Sequence, residues 1–106
     1  MRIDVCLLNP DVVEKLAVKH NVETWEVEEV FDEAFEEEPL IRFREKGRRN
    51  GEHLYTALGR TSAGRYLIIY FIYKPVSNDY PFSEAFIVSA RNMEKKERKE
   101  YERHQD

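Results

Sequence analysis

Two arginines flank a glycine-bracketed turn in the middle of the chain, Gly59-Arg60-Thr61-Ser62-Ala63-Gly64-Arg65, and a third, Arg91, follows the apolar run 85–90. A guanidinium is planar, permanently charged and matched to phosphate oxygens. Arg65 and Arg91, at the ends of neighbouring strands, are therefore suited to hold a phosphate or to stabilise negative charge developing on it. The plainer reading of each is a surface arginine paired with a carboxylate, and for Arg60 a solvated turn residue. His20 can shuttle protons near neutral pH or simply close a helix whose dipole favours a cation there. Glu52 can act as a base or orient an arginine. Tyr101 can hydrogen-bond a phosphate, stack on a base or anchor a helix. Arg48, Arg49, Lys95 and Lys96 are basic enough to contact a phosphate backbone. The last two belong to a run interleaved with Glu94, Glu97 and Glu100, the pattern of a solvated helix face. His53 and His104 have no supporting context.

Other chemistries lack their parts. There is no Cys or His cluster at zinc-ligand spacing, no phosphate-binding glycine loop and no Gly-x-Ser-x-Gly turn, so neither a metal nor a nucleotide cofactor is expected. The glutamates of 26–38 follow no metal-loop spacing and read as a solvated helix face. Cys6 is the only cysteine, which rules out an intrachain disulfide and makes a reducing cytoplasm the default. It sits in an apolar run and reads as a small buried hydrophobe.

With 106 residues the chain is expected to be one domain, 1–106, large enough for one core. No apolar run approaches the length of a membrane span, and the N-terminus does not read as a signal peptide. The net charge of −4 hides a segregation: residues 23–38 carry nine acidic and no basic side chains, and residues 42–65 carry seven Arg or Lys against two Glu. Each patch is a candidate contact surface.

The elements that must position these groups follow from patterning. Residues 2–8 alternate as an extended segment. Asn9 and Pro10 open a helix to His20, with Val12, Val13, Leu16 and Ala17 as its apolar stripe and Asn21 as a left-handed C-cap. A second helix is expected from Thr24 to Phe35, with Val27, Val30, Phe31 and Ala34 on one face. Residues 40–44 read as an edge strand and 45–51 as a basic turn. Within 51–73, two strands are joined by the turn 59–64, and the second is apolar on both faces, the mark of a central strand. A loop at 74–84 leads to a strand at 85–90, with Phe86 and Val88 on one side and Ile87, Ser89 and Arg91 on the other. Asn92 is expected to cap a last helix from Met93 to about Arg103. The order α-α-β-β-β-β-α indicates an α+β fold, a central antiparallel sheet with helices mainly on one face.

An ordered set of short matches resembles the BrnT family of toxins. These are Asn9-Pro10, Lys19-His20-Asn21-Val22, Glu28-Glu29-Val30-Phe31, Gly51-Glu52, Gly59, Gly64-Arg65, Leu67 and Ser89-Ala90-Arg91 leading into Glu97 and Tyr101. They span nearly the whole chain. Typical members carry Lys or a similar polar residue where this chain has Val12, and an arginine where it has Leu54. The resemblance implies a RelE-like fold and a cytoplasmic ribonuclease of a toxin–antitoxin pair. It implies an antitoxin partner that is a small DNA-binding protein, RNA as substrate, and a homodimer or a heterotetramer with the antitoxin.

Metal-free RNA cleavage requires a general base and acid, and fixed cations against the charge that grows on the phosphate. On the resemblance, His20, Glu52, Arg65, Arg91 and Tyr101 are the catalytic candidates, and Arg48, Arg49, Arg60, Lys95 and Lys96 the RNA-binding ones. The competing expectation is a binding module of the same fold, in which the acidic segment 23–38 and the basic stretch 42–49 contact a partner protein or RNA.

Overall fold

The doubly apolar run becomes the middle strand of a five-stranded sheet. A computed structural model describes residues 1–32, 38–49 and 52–105. Its elements in chain order are β1 (Val5–Leu7), α1 (Pro10–His20), α2 (Thr24–Val30), β2 (Leu40–Arg49), β3 (Glu52–Arg60), β4 (Tyr66–Lys74), β5 (Glu84–Asn92) and α3 (Lys95–Gln105). The strand order is β1-β5-β4-β3-β2. The class is α+β, as the pattern of elements predicts.

The sheet is mixed rather than wholly antiparallel. β2 to β5 pair antiparallel, but β1 lies parallel to β5, with Val5 opposite Glu84. A side-chain clamp fixes that edge. The Asp4 carboxylate accepts from the Ser83 N–H at 2.8 Å, and the Ser83 hydroxyl donates to the Arg2 carbonyl at 2.7 Å. Cys6 is half-buried, and burial pushes its thiol up to about 11, which keeps it protonated and unreactive at neutral pH.

Each face of β4 is covered differently. Leu67, Ile69 and Phe71 lie in a core with Leu16, Val22, Val27 and Val30 from the α1–α2 side. Ile68 lies on the other face with Leu40, Leu58 and Tyr101. α3 is therefore on the face opposite α1 and α2: two of the three helices share one face, as expected, and the third covers the other. The Met93 N–H donates to the Tyr66 carbonyl at 3.0 Å, which turns the chain back over the second face. Tyr101 then buries its ring against Tyr66, edge to face at 6.0 Å between centroids.

Several element ends move for local physical reasons. α1 starts and stops as expected: Asn9 Oδ1 accepts from the Asp11 N–H, and Asn21 is left-handed at φ 53°. Its apolar stripe is narrower, since Val13 and Ala17 are exposed. α2 ends at Val30, not Phe35, because Phe31 leaves the helix and sets its ring edge-on to Phe71 at 5.2 Å; residues 33–35 of the expected helix lie outside the described residues. β2 runs on to Arg49 through the stretch expected as a turn, absorbing two register shifts that keep Arg49 opposite Glu52. Asn92 ends β5 and does not cap α3. The helix entry is instead closed by Glu97, whose carboxylate accepts from the Glu94 N–H at 2.8 Å.

The close approach of α2 to the sheet depends on Gly59. A Cβ there would sit 2.5 Å from Val30 Cγ1, a buried side chain. Gly59→Ala is expected to cost about 1–3 kcal/mol through overpacking, measurable as a lower urea midpoint with an unchanged slope.

Candidate active site

The turn after β3 sets Arg65 by local hydrogen bonds. Gly64 adopts φ 89°, the Thr61 N–H donates to the Arg65 carbonyl at 2.9 Å, and Thr61 Oγ1 accepts from the Arg65 N–H at 3.1 Å. The turn is tied to α2 by a hydrogen bond from the Ser62 N–H to the Glu29 carboxylate. Arg65 then points across the end of α1. Its Nη1 donates to the Asn21 carbonyl at 2.6 Å and to Glu26 Oε1 at 2.9 Å; its Nη2 donates to the His20 carbonyl at 2.9 Å; its Nε donates to Asn92 Oδ1 at 2.8 Å. The cation lies at the negative end of the α1 dipole and meets Glu26, a residue only 6% exposed. Glu26 Oε1 also accepts from the Glu23 N–H at 3.0 Å at the start of α2. Protein acceptors thus surround the guanidinium, which joins α1, α2 and β5. A phosphate could reach it only by displacing them.

Arg91 is organised differently. It lies opposite Ile68 in the β4–β5 pairing, and so on the α3 face. The sequence alternation places it with Ile87, which is instead in the α1–α2 core. A register shift opposite Tyr70/Phe71 inserts a residue into β5 and reverses which side chains face which way. Arg91 Nη1 and Nη2 donate to Glu97 Oε1 and Oε2 at 2.8 and 2.9 Å, a bidentate pair. Nη2 also reaches the Tyr70 hydroxyl at 3.4 Å. The Arg91 hydrogen bonds hold the Glu97 carboxyl below its ordinary range, against the opposing effect of burial. The same pairing raises the Arg91 value. A fixed cation, an ionised carboxylate and a phenol therefore meet on a solvent-reachable sheet face. Beneath them lies Thr56, cross-strand from both Arg42 and Tyr70, whose buried hydroxyl has no hydrogen-bond partner among the described residues.

A depressed carboxylate contributes stability above its unfolded pKa and loses it as pH falls through the folded value. The Glu97–Arg91 contribution is therefore complete above the ordinary carboxyl value of 4.5 and disappears on acidification below it. Melting temperatures taken between about pH 3 and 7 are expected to fall less steeply on the acid side for Glu97→Gln than for the wild type.

The sequence candidates do not converge on one point. His20 and Arg65 adjoin at the α1 end, where His20 contributes its backbone carbonyl. Arg91 and Tyr101 share the α3 face, with Tyr101 serving as a buried anchor. Glu52 begins β3 and Arg60 ends it, so they stand about 27 Å apart along an extended strand. Arg60 and Arg98 both place their guanidinium carbons over the Tyr66 ring, at 5.0 and 4.0 Å. Lys95 and Lys96 line a depression on α3 with Lys99, Glu102 and Arg103. The side chains of Arg48 and Arg49 lie outside the described residues. Sequence reasoning assigned no chemistry to Tyr70 and gave Glu97 only as part of a match and of a solvated helix face. The available signal was the six-residue separation of Arg91 and Glu97 across a strand-to-helix junction.

Among the described residues, part of the charge segregation maps onto the two faces. Arg91, Arg42 and Arg44 act on the α3 side, where Arg42 pairs with Glu100 at 3.2 Å and Arg44 acts on Glu97. On the other side, Glu28, Glu29 and Asp32 line an acidic depression with the exposed Trp25 and with Asp4, which Arg2 pairs at 2.7 Å. Among the described residues no group of three or more His, Cys, Asp or Glu side chains is placed to hold a metal ion. None of the helices among them is long and apolar enough to cross a membrane. No family model matches the chain, and the search of curated proteins found no match.

Proposed function

We propose that the protein is a metal-independent endoribonuclease toxin of the cytoplasm, cutting mRNA and neutralised by a small DNA-binding antitoxin. The observation that carries this reading is the Arg91–Glu97–Tyr70 cluster on an open, cation-flanked sheet face. Glu97, ionised at neutral pH, takes the proton of a ribose 2′-hydroxyl. The 2′-oxygen attacks phosphorus, the bond to the 5′-oxygen breaks, and the Tyr70 hydroxyl supplies the proton that this oxygen needs. Arg91 opposes the charge that builds on the phosphate oxygens. The products are a 2′,3′-cyclic phosphate and a free 5′-hydroxyl. In this scheme Arg65 and Tyr101 hold the scaffold, and the cations of β2 and α3 track the RNA backbone. The acidic depression with Trp25 supplies an aromatic anchor and negative charge for an antitoxin segment, on the face away from the chemistry.

The test is incubation of the purified protein with structured and unstructured RNA in EDTA. Fragments ending in cyclic phosphate are the expected outcome. Intact RNA after incubation with folded protein would count against it.

One observation favours a second reading, a binding module of the same fold. Both terminal nitrogens of Arg91 are already engaged by Glu97, so the pair could serve only to fasten α3. In that case RNA or a partner protein binds, and no RNA is cut.

A further inference from the structure

On the Arg91 face, beyond the cover that α3 provides, Leu54, Ile72, Phe86 and Val88 floor an open groove of about 600 Å³. Ile72 is cross-strand from both Leu54 and Phe86, so three strands contribute to one apolar surface. Ile72, Phe86 and Val88 are all exposed. Ile72 follows Tyr70 by two residues on the same face of β4, which puts the groove about 7 Å along the strand from the Arg91–Tyr70 contact. Glu45, Lys46 and Glu52 also line it.

We propose that this groove is the base-binding subsite for single-stranded RNA, seating the nucleobase next to the phosphate held at Arg91. This rests on the ribonuclease reading. Phe86 offers the ring on which the base stacks, a contact that every base can make through its π-face. The neighbouring guanidinium supplies the phosphate contact, and the anionic strand is drawn to this side because Lys95, Lys96, Lys99 and Arg103 of α3 outnumber the one carboxylate, Glu102, that lines their depression, while Glu28 and Glu29 of α2 lie on the other face. Glu52 gives the subsite a preference. A carboxylate only accepts hydrogen bonds, so it pairs with base edges that present N–H donors. Guanine, with adjacent donors on its pairing edge, fits best. Uracil, whose single N–H lies between two carbonyl oxygens, fits worst. The groove also accounts for Leu54: its side chain belongs to the apolar floor.

The experiment measures binding of short 2′-O-methyl RNA, which cannot be cut, by fluorescence anisotropy. The probes are oligonucleotides rich in guanine, oligonucleotides rich in uracil, and an abasic strand. Phe86→Ala is expected to weaken the guanine-rich probe about tenfold and to leave the abasic strand unchanged. Glu52→Gln is expected to narrow the gap between guanine and uracil. Thermal melts of both variants confirm that they are folded. Equal affinity of wild type and Phe86→Ala overturns the proposal, and so does an equal loss on the abasic strand. A wild-type dimer that Phe86→Ala dissolves in sedimentation also overturns it, because a second copy then covers the groove. If the wild type cuts RNA while the groove variants bind normally, only the subsite fails. If it neither binds nor cuts RNA, the ribonuclease reading fails with it.

Discussion

Replacing Arg65 by alanine is expected to destabilise the fold by about 3–5 kcal/mol, the usual consequence of removing one partner from a buried ion pair. The cost has several sources. Glu26, almost fully buried, is left as an uncompensated charge. The His20 and Asn21 carbonyls at the end of α1 lose their donor, and Asn92 loses its own. Total stabilities of single domains are about 5–15 kcal/mol, so a large share of this one would be gone. For a domain near this length the melting temperature should fall on the order of 20 °C. Arg65→Lys should recover little, because one ammonium cannot reproduce a fork that spans two backbone carbonyls, a carboxylate and an amide. Glu26→Gln should be milder, since the neutral amide oxygen can still accept from Arg65. Thermal and urea unfolding of the three variants provides the check. A loss below about 1 kcal/mol for Arg65→Ala would mean that solvent replaces the network. RNA cleavage by an Arg65 variant is informative only below its own melting transition.

Arg91→Ala is expected to have the opposite profile: RNA cleavage reduced by a factor of about 10²–10³, the scale for removing one donor to a developing oxyanion, with the fold kept. Its pair with Glu97 is partly open to water, at 29% and 17% side-chain exposure, so screening limits its contribution to about 1 kcal/mol. Without the guanidinium the Glu97 carboxyl loses the interaction that lowers it, and any residual activity should shift its acid limb to higher pH. Glu97→Gln should abolish the base and remove that limb. Single-turnover cleavage across pH, beside melting curves, separates chemistry from folding. Full activity in folded Arg91→Ala would remove this residue from the mechanism and leave its pair with Glu97 as a fastening for α3.

The contrast between these two arginines shows where sequence reading stops. Both precede or follow an apolar strand, and both are equally apt for phosphate by residue type. What divides them is what folds against them. Arg65 meets helix ends brought from residues 20–26, while Arg91 meets a carboxylate six residues onward. Glu26 sits on what the sequence presents as a solvated acidic face, and nothing local marks it as a carboxylate that turns inward.

Periodicity and punctuation by themselves determined the α+β class, the central place of the strand 66–73, the Asn9-Pro10 opening and the left-handed Asn21, because these depend on side-chain alternation and on backbone preferences within a few residues. The segregation of acidic and basic segments was legible for the same reason. Only the tertiary structure decided the parallel pairing of β1, the placement of α3 on the second face, the register shift that carries Arg91 over to that face, and the open groove beside it. Each of these arises from contacts between residues far apart in the chain or from one inserted residue in a ladder. Local pattern carries no term for either, since a single bulge reverses every later side chain while leaving the strand's composition unchanged.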